Sequence, residues 1–284
     1  MNVLFIIAQY LVPQHLLSRL AGSIADCEWP WLKNAFINWF IKRYNVDMSE
    51  AKDPEPYNYK NFNAFFTRAL NVEARPIVEG YNNIALPADG CISQIGPIKH
   101  DSIFQAKGQH YSLLKLLAGN RALAKQFENG NFATIYLSPK DYHRVHMPLD
   151  GQLLSMTYVP GDLFSVNETT AENVPNLFAR NERAICLFQT QAGPMAVILV
   201  GAMIVAGIET VWAGQVAPIK RQVITTKYQH QQQPIGIRKG DEMGRFKLGS
   251  TAIVLFGEDA VNWHAELQAG SPTRMGELLG QINR

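Results

Sequence analysis

Short apolar runs, separated by Gly, Pro and Asn, recur along most of the chain. They fall at residues 133–137, 153–159, 183–188, 195–200, 202–205 and 252–256. Runs of that length bounded by turn residues predict buried strands. Residues 111–125 carry the clearest internal helix pattern, predicted in two pieces broken at Gly119. Residues 1–70 read differently again. Leu32, Phe36, Trp39, Phe40 and Arg43 fall at helical spacing. The expected fold class is therefore α+β. N-terminal amphipathic helices over residues 1–70 precede a β-rich, barrel- or sandwich-like domain over 71–284.

The N-terminal pattern bears on membranes. The apolar run at residues 3–8 is interrupted by Gln9, Pro13, Gln14 and His15. It is too short to span a bilayer, which takes about 20 apolar residues. It also lacks the basic start and cleavage site of a secretory signal. Residues 29–44 hold Trp29, Trp31, Phe36, Trp39, Phe40 and Tyr44, with Lys33, Lys42 and Arg43 supplying charge. A helix of that kind lies in a membrane interface, rings down and cations toward anionic headgroups. The same spacing also suits an amphipathic helix packed on its own domain.

Composition narrows the classes. With 284 residues, 47% hydrophobic and 18% charged, the chain can build one substantial core plus an appendage. A formal net charge of +2 argues against a nucleic-acid binder. Cys27, Cys91 and Cys186 are widely spaced, which excludes a disulfide framework and fits a reducing compartment. The glycines between residues 236 and 244 lack the strand-to-helix context of a dinucleotide loop.

The candidate chemistry lies in Phe246-Lys247-Leu248-Gly249-Ser250-Thr251. Gly249 has no side chain to shield its carbonyl, and Ser250 places a hydroxyl one bond beyond it. Attack by that hydroxyl turns the amide into an ester, and β-elimination then leaves dehydroalanine, which hydrolyses to a pyruvoyl group. A ketone at this position is an electron sink that no encoded side chain provides. In isolation the same residues are a turn entering a strand. Ser250 needs a base, because a free serine is a poor nucleophile. His143 and His146 stand three apart in a segment following the 132–137 run. A zinc site is not expected there, since no third ligand clusters and no His-Glu-x-x-His motif is present. Asp89, in Leu86-Pro87-Ala88-Asp89-Gly90, is the candidate carboxylate to orient the base, although Asp-Gly by itself also reads as a turn.

These segments together resemble the proteobacterial phosphatidylserine decarboxylase family. The likeness runs through residues 61–68, 86–90, 141–148, 158–167, 176–183, 209–214 and 246–251. It implies a self-cleavage triad of Asp89, His146 and Ser250, with His146 as base. It implies a cut between Gly249 and Ser250, giving a β chain of residues 1–249 and an α chain of residues 250–284 that remain together as a heterodimer. Ser250 becomes a covalently bound pyruvoyl, the cofactor, whose carbonyl forms a Schiff base with the amine of membrane phosphatidylserine. His143 is the expected proton donor, or else a contact for the substrate carboxylate. The enzyme is expected at the cytoplasmic face of the cell membrane, peripherally bound, with a higher oligomer left open. The rival reading is a serine hydrolase acting on lipid without self-processing.

Overall fold

The computed structural model describes residues 2–203, 207–218, 222–229, 231–247 and 250–283. Four helices open the chain: α1 (Asn2–Leu11), α2 (Gln14–Ala25), α3 (Pro30–Tyr44) and α4 (Phe62–Phe66). Pro30 starts α3, where its missing N–H costs nothing, and Asn45 ends it in the left-handed conformation at φ 52°. Asn61 caps α4 by accepting from the Ala64 N–H at 2.9 Å.

One face of α3 differs from the sequence expectation. Ile37 and Phe40 are buried against Phe62, Phe65 and Phe66, and Phe36 stacks on Phe62 at 4.1 Å. Lys33 turns inward too, and its Nζ donates to the Tyr57 and Tyr59 carbonyls. Because Lys33, Asn34, Asn38, Lys42 and Arg43 are scattered around α3 among its apolar residues, spacing alone does not say which side faces inward. The outward residues are Trp29, Trp31 and Trp39, joined by Ile7, Leu11, Leu16, Leu20 and Ile24 of α1 and α2.

The inner sides of α1 and α2 dock by polar side chains. The Ser165 and Leu163 N–H groups donate to the amide oxygens of Gln9 and Gln14, and His15 Nε2 donates to the Gly161 carbonyl. Arg180 lies over the rings of both Tyr10 and Phe164.

Past residue 82 the chain is mostly strand. A nine-stranded antiparallel sheet runs Ile224–Lys227, Gly151–Val159, Arg183–Thr190, Gly193–Val200, Ser250–Phe256, Asn131–Leu137, Gly90–Pro97 and Pro272–Thr273, with Gly236–Ile237 also pairing on Gly151–Val159. On one face Leu137, Ala252 and Val254 pack with Val145, Ile208, Met243 and Phe246. Those four come from a smaller sheet of Gly214–Ala217, Gly207–Thr210, Glu242–Lys247 and Arg144–His146. The other face, with Phe132, Ile253 and Leu255, is covered by short helices including Leu113–Leu116 and Leu177–Arg180. The helix expected at 111–125 is indeed in two pieces, Leu113–Leu116 and Arg121–Ala124, with Gly119 between them at φ +78°. The run at 202–205 is not a strand at Ala202 and Met203; the rest of it lies outside the described residues.

The Ser250–Phe256 strand sits in the middle of the large sheet. It pairs with Asn131–Leu137 on one side and Gly193–Val200 on the other, and all seven of its residues are buried. Each large aliphatic side chain there contributes about 2 kcal/mol of burial.

Gly90 begins its strand with φ +148°, and a Cβ there would lie 2.1 Å from the Tyr136 carbonyl oxygen. Backbone cannot yield as a side-chain tip does. Gly90→Ala should therefore lower stability by about 3 kcal/mol, read as a reduced urea midpoint and a poor soluble yield.

Candidate active site

The sheet register sets the distances. Cys91 and Thr251 both pair with Tyr136, and Ser250 lies opposite Leu137. The strand following Asp89 and the strand opened by Ser250 therefore flank the same neighbour, about 10 Å apart across two strand spacings. Ser250 has the alternation of Ala252 and Val254, so it faces the smaller sheet that carries His146.

His146 is tied to the Asp89 segment by its backbone, whose N–H donates to the Pro87 carbonyl at 2.8 Å. Its ring is fixed at both nitrogens. Nδ1 lies 2.8 Å from the Gly240 carbonyl, which can only accept, so Nδ1 carries the proton. Nε2 then accepts from the Tyr142 hydroxyl at 3.0 Å. Burial lowers the His146 pKa, opposed in part by the Gly240 bond. Burial raises that of Tyr142, which stays a neutral donor. The imidazole is thus neutral with its lone pair at Nε2, the form a general base needs.

Asp89 is not bonded to His146. Its carboxylate is gripped by Arg75, whose Nε lies 2.9 and 3.1 Å from the two oxygens and whose Nη2 donates to Oδ2, and by the Met275 N–H at 2.8 Å. It opens on a polar cavity of about 430 Å³ shared with Asp141 and Glu50. A larger cavity of about 560 Å³ lies against Cys91 and Tyr136, on the side of the sheet opposite to Ser250, with Lys107, Glu168 and Glu172 among its walls.

His143 is fully buried. Its Nδ1 donates to the Asp141 carbonyl at 2.7 Å, its ring lies 4.0 Å from that of Phe66, and Nε2 has no hydrogen-bond partner. Burial, with Arg68 nearby and only partly offset by the Asp141 bond, pushes its pKa down to about 3. The Ser250 hydroxyl is 1% exposed at the residue and likewise has no partner, so neither histidine touches it here. Gly249 lies outside the described residues. Among the described residues no three His, Cys, Asp or Glu side chains converge as a metal site requires.

Four contributors escaped sequence reasoning: Tyr142, Gly240, Arg75 and the Met275 N–H. Tyr142 stands immediately before His143 and could have been suspected. The others are a backbone carbonyl, an arginine 14 residues from Asp89 and a backbone amide, none of which leaves a motif.

Comparison with known proteins identifies the relatives of this chain. The family described as phosphatidylserine decarboxylase matches residues 62–281, and a second one, described as PSD, matches residues 4–45. A phosphatidylserine decarboxylase proenzyme of Pseudomonas fluorescens is 64% identical over 278 residues, 98% of this chain and 96% of the relative. Proenzymes of the same description from Pseudomonas putida and Pseudomonas entomophila are each 65% identical over 277 residues, 97% of this chain and 96% of theirs.

The buried His143 gives an acid dependence. Unfolded, it titrates at its ordinary 6.5, and folded only at about 3. Its contribution is complete above pH 6.5 and is lost as pH falls toward 3, because only the unfolded chain takes up the proton in that window. From neutral pH to one unit below 6.5, the loss should be about 1 kcal/mol. Urea titrations of a Ser250→Ala chain should show this, and adding His143→Gln should remove that part of the slope.

Proposed function

The chain belongs to the phosphatidylserine decarboxylase family and releases carbon dioxide from phosphatidylserine; we propose that it readies itself by cutting its own backbone between Gly249 and Ser250. The observation that carries this reading is the Ser250 hydroxyl, buried and without a partner at the head of the central strand. Buried hydroxyls are ordinarily hydrogen-bonded. A carbonyl one residue back in the same chain needs no access, and attack on it draws on the high effective molarity of an intramolecular step.

His146 Nε2 takes the hydroxyl proton once Tyr142 gives up that nitrogen. Ser250 Oγ bonds to the Gly249 carbonyl carbon, the C–N bond breaks, and the proton on His146 passes to the released nitrogen. Asp89 acts as the charge that favours the transient imidazolium. Loss of the Ser250 α-proton then expels the Gly249 carboxylate. Dehydroalanine remains, and hydrolysis releases ammonia and leaves the pyruvoyl at position 250. The fit to that group lies in the same buried, unpartnered oxygen. When formed, the pyruvoyl supplies the electron sink for decarboxylation.

His143 is suited to proton traffic in that second reaction. As it stands, Nε2 bears a lone pair and Nδ1 is engaged. It therefore accepts first, from the substrate ammonium, and returns the proton to the α-carbon afterwards. After the cut, residues 250–284 stay with 1–249, because their first strand is paired on both edges.

No helix among the described residues is long and apolar enough to cross a membrane. We assign the lipid contact to the outward side chains Leu11, Leu16, Leu20, Ile24, Trp29 and Trp31, a peripheral mode of binding.

The cut is tested by a denaturing gel and mass spectrometry of the 250–284 fragment, which should carry a keto group in place of serine and its amine. Ser250→Ala and His146→Ala should leave one chain of 31.8 kDa. His143→Ala should cut normally and decarboxylate at least about tenfold more slowly. An unbroken active chain would refute the reading. For the membrane contact, Leu20→Glu with Trp31→Glu should reduce co-sedimentation with phosphatidylserine vesicles by about tenfold or more, leaving the cut intact.

A further inference from the structure

Arg75 is held from several directions. Its fork grips Asp89, its Nη1 donates to the Ala74 carbonyl, and the same nitrogen pairs with Glu50 at 2.9 Å. Glu50 in turn pairs with Arg274 at 2.7 Å, and Arg274 also donates to the Ala74 carbonyl. The next residue, Met275, closes the ring by donating its N–H to Asp89. Residues 274 and 275 lie beyond the proposed cut. They are seated by the pairing of Pro272–Thr273 on Gly90 and Cys91, and by the Thr273 hydroxyl on the Ala88 carbonyl.

We propose that Arg75 is the positioning residue of self-cleavage: clamped by Glu50 and the 274–275 corner, it holds the Asp89 carboxylate in place beside the His146 segment. This rests on the role proposed above for Asp89. The surroundings explain why an arginine is required. Asp89 is 7% exposed and shares its cavity with the carboxylates of Asp47, Glu50, Asp141 and Glu277. The cations there are Arg75 and Arg274. Arg68 lies behind them, and its charge is felt by Asp89 at longer range. Tyr142 and His146, on the other side, are neutral in the resting arrangement. Remove the Arg75 charge and Asp89 is left buried among like charges with no cation in contact. No fork then fixes the carboxylate toward the His146 segment, and a displaced charge gives less help to an imidazolium. A planar fork that binds both oxygens also fixes orientation, which a lysine point charge does not. The clamp exists only once residues 272–275 have folded back, so cutting waits for the end of the chain.

The test is a time course of cutting by the full chain made in cell-free translation. Arg75→Gln should be slowed about tenfold or more, and Arg75→Lys, which keeps the charge but not the fork, by an intermediate factor. Because Arg75 acts through Asp89, adding Arg75→Gln to Asp89→Asn should slow cutting by less than about twofold further. A purely structural role would instead multiply the two losses. That outcome, or wild-type rates in Arg75→Gln, overturns the proposal. Asp89→Asn separates the two readings: if it cuts as wild type, the role of Asp89 fails whatever Arg75 does. Unfolding of Ser250→Ala chains with and without Arg75→Gln reports folding. If the Arg75→Gln chain does not fold, Arg75→Lys decides, and a loss in that variant that multiplies with the loss in Asp89→Asn refutes the proposal.

Discussion

The structure depends on a strand hydrogen-bonded along both edges. Ser250–Phe256 is the middle of the large sheet, and its side chains feed both apolar layers. Backbone pairing on two sides holds this segment whether or not it is joined to residue 249. The same pairing presses the Ser250 hydroxyl into the layer that carries His146. A covalent break is therefore tolerable at this point because non-covalent bonds have already taken over the work of the peptide link. A strand at a sheet edge, held on one side only, would fray once cut.

The resting site is assembled yet not engaged. Asp89 bonds to Arg75 and His146 to Gly240 and Tyr142, while the Ser250 hydroxyl and His143 Nε2 have no hydrogen-bond partner. Rearrangement of the Tyr142 hydroxyl alone frees the lone pair on His146. In the proposed cut, Asp89 would contribute through its field and through the Pro87–Asp89 segment on which the histidine backbone rests.

Much of this was legible in the sequence. Strands at 133–137, 153–159, 183–188, 195–200 and 252–256, and the helix break at Gly119, follow from runs of apolar residues and from glycine's freedom. Ser250, His146 and Asp89 stand out because each is a reactive type inside an unusual local segment. What stayed hidden depends on long-range closure. Polar and apolar residues are intermixed around helix α3, so Phe40 and Lys33 gave no sign that they point inward. Arg75 and Met275 reach Asp89 from 14 and 186 residues away. A backbone amide such as that of Met275 has no identity in the sequence at all.

The cut proposed at residue 249 would also set how the processed protein withstands heat. The intact precursor melts and reforms as one molecule, so its recovery does not depend on how much of it is present. Once divided, the 35-residue piece (284 − 249) can diffuse away whenever the sheet opens, and its return becomes a meeting of two molecules. Endurance of the working enzyme is then governed by how seldom the sheet opens, a rate, while only its parent has a recoverable equilibrium.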